Sequence, residues 1–319
     1  MENSTSTSSA QSFKQYLESQ GKSKSTVTHY NTYILDFLSW LDKDSTCPEL
    51  AEGKEVLSYL DHLQRKGLEN QTRNIRLGVI KQFFNWQIDQ GHRTENPIQH
   101  VKIRGTKHKK LYPILDKQQL EKLYNEYQVP NEDDERKNRN WFTNYKLSRA
   151  RNKAVLSLMI HQGLTTPEAE NLNLNDLKLK EGKIYIAGSR KSNERTLELK
   201  SSQIIELMEY TWQVRSEFLK QQENQETKRL FLSLPIAGKE KAAESLQIWK
   251  GLTREIKSQN PDFINFKQVR TSVITHWLKN HNLRQVQYMA GHRYVSSTEA
   301  YLVNQTEDLQ KDIDQFYPF

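Results

Sequence analysis

Cysteine is nearly missing from this 319-residue sequence, in which Cys47 stands alone. A single thiol excludes an internal disulfide and a thiolate metal cluster, and it fits a reducing compartment. No apolar run approaches the roughly 18 residues of a membrane span. A cytoplasmic protein without a membrane partner is therefore expected. Apolar residues are scarce, at 35%, and the mean hydropathy is −0.87. Six Trp, 14 Tyr and 11 Phe nevertheless argue for folded, strongly polar helices rather than disorder. No histidines and carboxylates stand at metal-ligand spacing, so no metal site is expected. The Ser/Thr-rich start has no apolar segment of the kind a signal peptide needs, and residues 1–11 read as a flexible tail.

Net charge is +8, which favours a polyanionic partner, nucleic acid before an acidic protein or a membrane surface. The charge is unevenly placed. Residues 1–100 sum to about −1, whereas 101–110 carry Lys102, Arg104, Lys107, Lys109 and Lys110 with no acid. Such a block reads as an exposed segment lying along phosphates, or as a soluble linker.

Helical periodicity organises residues 12–100 into four or five helices. Phe13, Tyr16 and Leu17 mark a short first helix closed by Gly21. Ser25 or Thr26 caps a second, with Tyr30, Ile34, Phe37, Leu38 and Leu41 on its inner face. Val56, Leu57, Leu60 and Leu63 mark a third that stops at Gly67. The fourth opens at Thr72, turns Ile75, Val79, Ile80, Phe83, Phe84 and Ile88 inward, and ends at Gly91. Its other face offers Arg73, Arg76 and Lys81. These side chains can reach phosphates and base edges in a major groove, or simply be solvated.

Asp116 is the expected cap of a helix with Leu120, Leu123 and Tyr124 inward. Residues 130–148 read as a polar surface insertion, and 154–160 as a buried helix ending at Gly163. The β-rich stretches 183–187 and 195–199 read as a hairpin. Helices follow around Leu207 and Phe218 and over 243–258, with a short strand or turn at 229–232 between them. The fold class is thus mainly α: a small helical domain over 12–100, a linker over 101–113, and a mixed α/β, mostly helical domain over 114–301 with a small β-hairpin sheet. An amphipathic segment over 302–319, with Leu309, Ile313 and Phe316 on one side, needs a groove to cover it.

The chemistry concentrates near the C-terminus. Lys267 and Arg270 stand one helical turn apart; Gly291-His292 follow, and Tyr301 comes nine residues after His292. The set reads as a grip for a phosphate beside a tyrosine nucleophile.

These features resemble the phage-integrase-type tyrosine recombinases. The stretches Lys24 to Tyr30, Phe37-Leu-Ser-Trp-Leu41, Asn70 to Arg76, Phe83-Phe-Asn-Trp86 and Glu95-Asn-Pro97 are similar to that family's N-terminal core-binding domain, which clamps one side of the duplex. Gly163-Leu-Thr165-Thr-Pro-Glu168 resembles its first catalytic box, with Thr165 where the family has an arginine. Integrases of Bacteroides-type mobile elements also lack that arginine while remaining recombinases. The resemblance implies Tyr301 as nucleophile, and Arg270, His292 and Lys267 as phosphate ligands, Lys267 standing where the family has histidine. It implies Lys191 of the hairpin as the acid that protonates the leaving 5′-oxygen, and Arg190, or less readily Arg195, as a replacement for the missing arginine. A covalent 3′-phosphotyrosyl intermediate is implied, with no cofactor, neither ATP nor a divalent metal. The partners implied are double-stranded DNA with inverted-repeat sites, a homotetramer on that DNA, accessory DNA-bending proteins, and a neighbouring protomer that receives 302–319. The alternative is a catalytically weakened relative acting as an accessory or architectural factor at recombination sites.

Overall fold

The computed structural model describes residues 3–105, 112–131, 133–222, 226–234 and 248–302. The chain divides into two compact units, Met1–Lys110 and Leu111–Phe319.

The described residues of the first unit form four helices: α1 (Asn3–Ser19), α2 (Lys24–Lys43), α3 (Gly53–Arg65) and α4 (Asn70–Asp89). Ser23, rather than Ser25 or Thr26, caps α2 by accepting from the Thr26 N–H. Phe13, Phe37, Phe83 and Phe84 are wholly buried at the centre, and Phe13 meets Phe83 edge-on at 5.3 Å between centroids. Helix α1 begins well before residue 12, and Ala10 is already in the core, so the expected tail over 1–11 is helical from Asn3 onward. Val79, Ile80, Phe83 and Phe84 of α4 are buried as expected, but its first turn differs. Ile75 is 46% exposed while Arg73 is buried, because Arg73, Leu77, Ile80 and Phe84 form the stripe that faces inward.

The second unit packs helices around a small sheet. Helices α5 (Lys117–Asn125), α6 (Phe142–His161) and α7 (Thr166–Asn171) precede strands β1 (Leu177–Lys178), β2 (Lys183–Ile186) and β3 (Arg195–Glu198). The antiparallel order is β1-β2-β3, with Ile184 opposite Leu197 and Ile186 opposite Arg195. The hairpin is present as read, and β1 extends it. Helix α8 (Ser201–Glu209) passes through a π-helical turn at Tyr210–Val214 into α9 (Arg215–Lys220). The site helices close the unit: α10 (Trp249–Gln259), α11 (Phe266–Asn280), α12 (Leu283–Ala290) and α13 (Val295–Glu299). Asp116 caps α5 through the Gln119 N–H at 2.7 Å. The polar stretch read as an insertion is helical from Phe142, where α6 starts, and Arg149 within α6 is buried against the Tyr127 ring. Leu156, Leu158, Leu164, Ile184, Leu207, Phe263 and Val269 lie at the centre of one continuous core beneath the sheet. No helix among the described residues is long and apolar enough to cross a membrane. Most of 302–319 lies outside the described residues.

Candidate active site

The site begins where α6 ends. Gly163 turns the chain at φ +59°, and a Cβ there would press on the Trp277 ring at 3.1 Å. Thr165 then caps α7. Its hydroxyl accepts from the Glu168 N–H at 3.3 Å, while its own N–H and hydroxyl donate to Glu168 Oε2 at 2.8 and 2.9 Å. This reciprocal capping box explains what threonine does where the family resemblance leads one to expect an arginine.

A guanidinium reaches Glu168 from the sheet instead. Inward and outward positions alternate along β3, so Arg195 points inward with Leu197. The Arg195 side chain is wholly buried, and its Nη1 donates to Glu168 Oε1 at 2.7 Å. Its Nε and Nη2 are buried without a hydrogen-bond partner among the described residues. Arg270, on α11, approaches the same carboxylate, its Nη1 lying 3.6 Å from Glu168 Oε2. The Arg270 guanidinium also donates to the carbonyls of Gly163 and, at 2.7 Å, Ala290. Burial alone would push the Glu168 carboxyl up. Hydrogen bonding and charge from Arg195, the charge of Arg270 and the Thr165 N–H hold it below its ordinary range. One carboxylate therefore faces two guanidiniums, which leaves a surplus positive charge in a desolvated place. Such a surplus suits an incoming anion.

Gly291 makes that arrangement sterically feasible. It closes α12 in the left-handed region at φ +68°, and a Cβ would stand 2.5 Å from Arg195 Nη1 and 3.0 Å from the Asn193 carbonyl. The Asn193 N–H donates to the Gly291 carbonyl at 2.9 Å, Ser192 bridges to His292, and Arg293 Nη1 donates to the Arg190 carbonyl at 3.0 Å. The turn between β2 and β3 is thereby stitched to the segment that carries His292.

His292 Nδ1 and Thr298 Oγ1 share a hydrogen bond of 2.9 Å. Burial, with Arg270 and Arg195 nearby, pushes the imidazole pKa down to about 4, so the ring is neutral at pH 7. The Tyr301 ring stacks on it, with centroids 5.6 Å apart and planes 15° from parallel. The Tyr301 hydroxyl also interacts with the Arg270 side chain. A cleft of about 730 Å³ opens over these groups, lined by Thr165, Glu168, Lys191, Lys267, Arg270 and His292 among others. Lys191 and Lys267 are exposed.

Lys191, Lys267, Arg270 and His292 line one cleft, and Tyr301 stacks on His292. Arg190 does not line the cleft; its side chain is exposed and its carbonyl serves the Arg293 contact. Arg195, ranked second on sequence, is the residue beside Glu168. Strand parity carried the signal, because an arginine on the inward face with Leu197 and Leu199 has to meet a carboxylate. The T-x-x-E pattern of a capping box marks Thr165 in the same way.

Three basic residues of α4 serve the first unit's own fold. Arg73 Nη1 donates to Asn70 Oδ1 at 3.1 Å. Arg76 binds Asp36 and the Tyr59 hydroxyl and lies over the Tyr33 ring. Lys81 donates to the carbonyls of Gln99 and Val101 at 2.9 and 2.7 Å. Of the three, Arg73 is buried and Arg76 and Lys81 are half-buried, and each makes contacts within the unit. Lys102 and Arg104 are exposed, while Lys107, Lys109 and Lys110 lie outside the described residues.

A family model described as the phage integrase family matches residues 113–308, and one for the phage integrase N-terminal SAM-like domain matches residues 10–92. Tyrosine recombinase XerD of Oceanobacillus iheyensis is 28% identical over 306 residues, covering 93% of this chain and 93% of its own length. Tyrosine recombinase XerC of Proteus mirabilis is 27% identical over 276 residues, covering 84% and 80%. Among solved structures, XerH site-specific recombinase bound to a palindromic difH substrate shares the fold at a TM-score of 0.66 and 18% identity, over 91% of this chain and 79% of that one.

Proposed function

The chain belongs to the phage integrase family, a tyrosine recombinase and so an enzyme of site-specific recombination, and on that premise we propose that it cuts and rejoins duplex DNA through a covalent 3′-phosphotyrosyl intermediate at Tyr301. The observation that carries this reading is the gathering of Arg195, Arg270 and His292 around Glu168 with Tyr301 stacked on the imidazole. The Tyr301 oxygen attacks phosphorus in line and gives up its proton to water, and the P–O5′ bond breaks as the P–O(Tyr) bond forms. Arg270, His292 and Lys267 hold the non-bridging oxygens, and Arg195 supplies the second guanidinium charge behind them. Lys191, at the cleft, protonates the departing 5′-oxygen. Rejoining reverses these steps with a new 5′-hydroxyl and conserves the bond energy. Four copies on a pair of inverted-repeat sites complete the exchange, with 302–319 docking on a neighbouring protomer and accessory DNA-bending proteins assisting.

Thr165 and Lys267 favour one alternative, an accessory factor that binds recombination sites without cutting them. Incubation with nicked target DNA separates the two. Wild type is expected to leave a protein–DNA adduct that survives denaturation, and Tyr301→Phe to leave none while binding DNA as before. A wild type that binds its site yet forms no adduct would overturn the enzymatic reading.

A further inference from the structure

Deep in the second unit, one hydroxyl has a single partner. Thr298 is completely buried on α13, and its Oγ1 shares its hydrogen bond with His292 Nδ1 and with no other described side chain or carbonyl. Several threonines in helices send their hydroxyl proton back to a carbonyl of the preceding turn, as Thr28 does to Lys24 and Thr271 does to Lys267, although the buried Thr275 hydroxyl does not. No such contact is made by Thr298.

The proton count then determines the imidazole. A hydroxyl brings one proton, and a buried O–H without an acceptor costs about 1–3 kcal/mol. If Nδ1 carried the ring proton and donated to Thr298, the hydroxyl proton would have no acceptor at zero exposure. With the hydroxyl donating to a bare Nδ1, the bond is satisfied and the ring proton sits on Nε2. We infer that Thr298 is a positioning residue that holds His292 in its Nε2–H tautomer, with a hydrogen-bond donor available to an acceptor-only phosphate oxygen. The inference deepens the proposed recombinase reading, since only a phosphate ligand needs that donor.

The neighbours of the ring agree with this state. Arg270 and Arg195 are the cations near His292 and oppose a second ring proton, whereas Glu168 is the nearby carboxylate and favours one. Burial is the larger influence and acts in the same direction as the cations, so the imidazole is neutral and its single proton has to be placed. Stacking of Tyr301 fixes the plane of the ring, and the Thr298 bond fixes its rotation within that plane. Thr298 touches no reacting atom. Its role runs through His292, as outer hydrogen bonds tune ligands elsewhere.

The test compares Thr298→Val, which keeps the shape and removes the hydroxyl, with Thr298→Ser, which keeps the hydroxyl. Nitrogen-15 spectra of the full chain without DNA report which ring nitrogen of His292 is protonated. Wild type and Thr298→Ser are expected to show Nε2–H, and Thr298→Val a shift toward Nδ1–H. On nicked DNA at saturating protein, Thr298→Val should slow adduct formation on the order of tenfold to a hundredfold while DNA affinity holds. Thr298→Ser should recover most of that rate. Wild type protonated at Nδ1, or equal slowing by both variants, would overturn the assignment and leave Thr298 a packing residue. Because the spectra need no activity, a wild type that forms no adduct yet shows the tautomer change would overturn the recombinase reading while supporting this one.

Discussion

Arg76 and Arg195 are both arginines drawn to a carboxylate, yet the two units use them in opposite ways. In the first unit Arg76 meets Asp36 one to one, with the Tyr59 hydroxyl and the Tyr33 ring completing its surroundings. Asp36 is half exposed there, so the pair is a solvated clasp between α2 and α4. In the second unit Glu168 faces both Arg195 and Arg270, largely buried at the floor of the cleft. A cation matched by one anion is part of the fold. A cation in excess is an invitation to an anionic ligand, and this surplus is what sets the second unit apart as the chemical one.

Removing each arginine puts that contrast to its hardest test. Arg195→Ala breaks a buried pair and should cost about 3–5 kcal/mol of stability. It should also slow cleavage at least roughly a hundredfold, as loss of one preorganised donor does. Arg76→Ala should cost about 1 kcal/mol, because its partner is solvated, and leave the cleavage rate of bound DNA nearly unchanged. Urea unfolding together with the rate of adduct formation measures both. Equal losses at the two positions would erase the distinction.

Acid should separate the units less sharply. Burial pushes both His161 and His292 in the second unit down to about 4. Unfolded, each would titrate near 6.5 and take up a proton that the folded state refuses. The second unit is therefore expected to lose stability steadily as pH falls from about 6.5 to about 4. Hydrogen exchange resolves the two units within the intact chain, and the core of α6 and α11 should open earlier in acid than that of α2 and α4. Identical pH dependence in both would count against neutral, buried imidazoles at the site.

The smallest effect concerns the basic residues of the first unit. Lys81 is occupied by the carbonyls of Gln99 and Val101, whereas Lys102 and Arg104 are exposed. Replacing Lys102 or Arg104 by alanine should lower the slope of log affinity against log salt by about 1. Lys81→Met should leave the slope unchanged and lower stability slightly. A salt effect at Lys81 as large as at Lys102 would show that the internal contacts yield to phosphate.

The helical skeleton was legible because periodicity is a local property. The inward residues Ile34, Phe37, Leu60, Phe83 and Phe84 are all buried, and Gly21, Gly67 and Gly91 stand at helix ends with positive φ. The first turn of α4 was harder to read, since Arg73 is buried there and Ile75 is exposed. An arginine can be buried when Asn70 accepts from it, and an isoleucine can be left out when the stripe has enough apolar area without it. Caps one turn from a helix start were uncertain for a similar reason, since Ser23, Ser25 and Thr26 offer the same hydroxyl within a few residues.

Sequence by itself determined the two-unit helical organisation, the hairpin, and the spacing that singles out Arg270, His292 and Tyr301, because each rests on separations of a few residues along one element. Tertiary structure alone decided which cation stands beside Glu168. Arg190 and Arg195 lie five residues apart on one hairpin; strand parity and the close approach allowed by Gly291 admitted the second and excluded the first. It also turned Thr165 from a gap into a cap and gave Thr298 its single partner. Those outcomes depend on contacts between segments far apart in the chain, and local pattern carries no record of such distances.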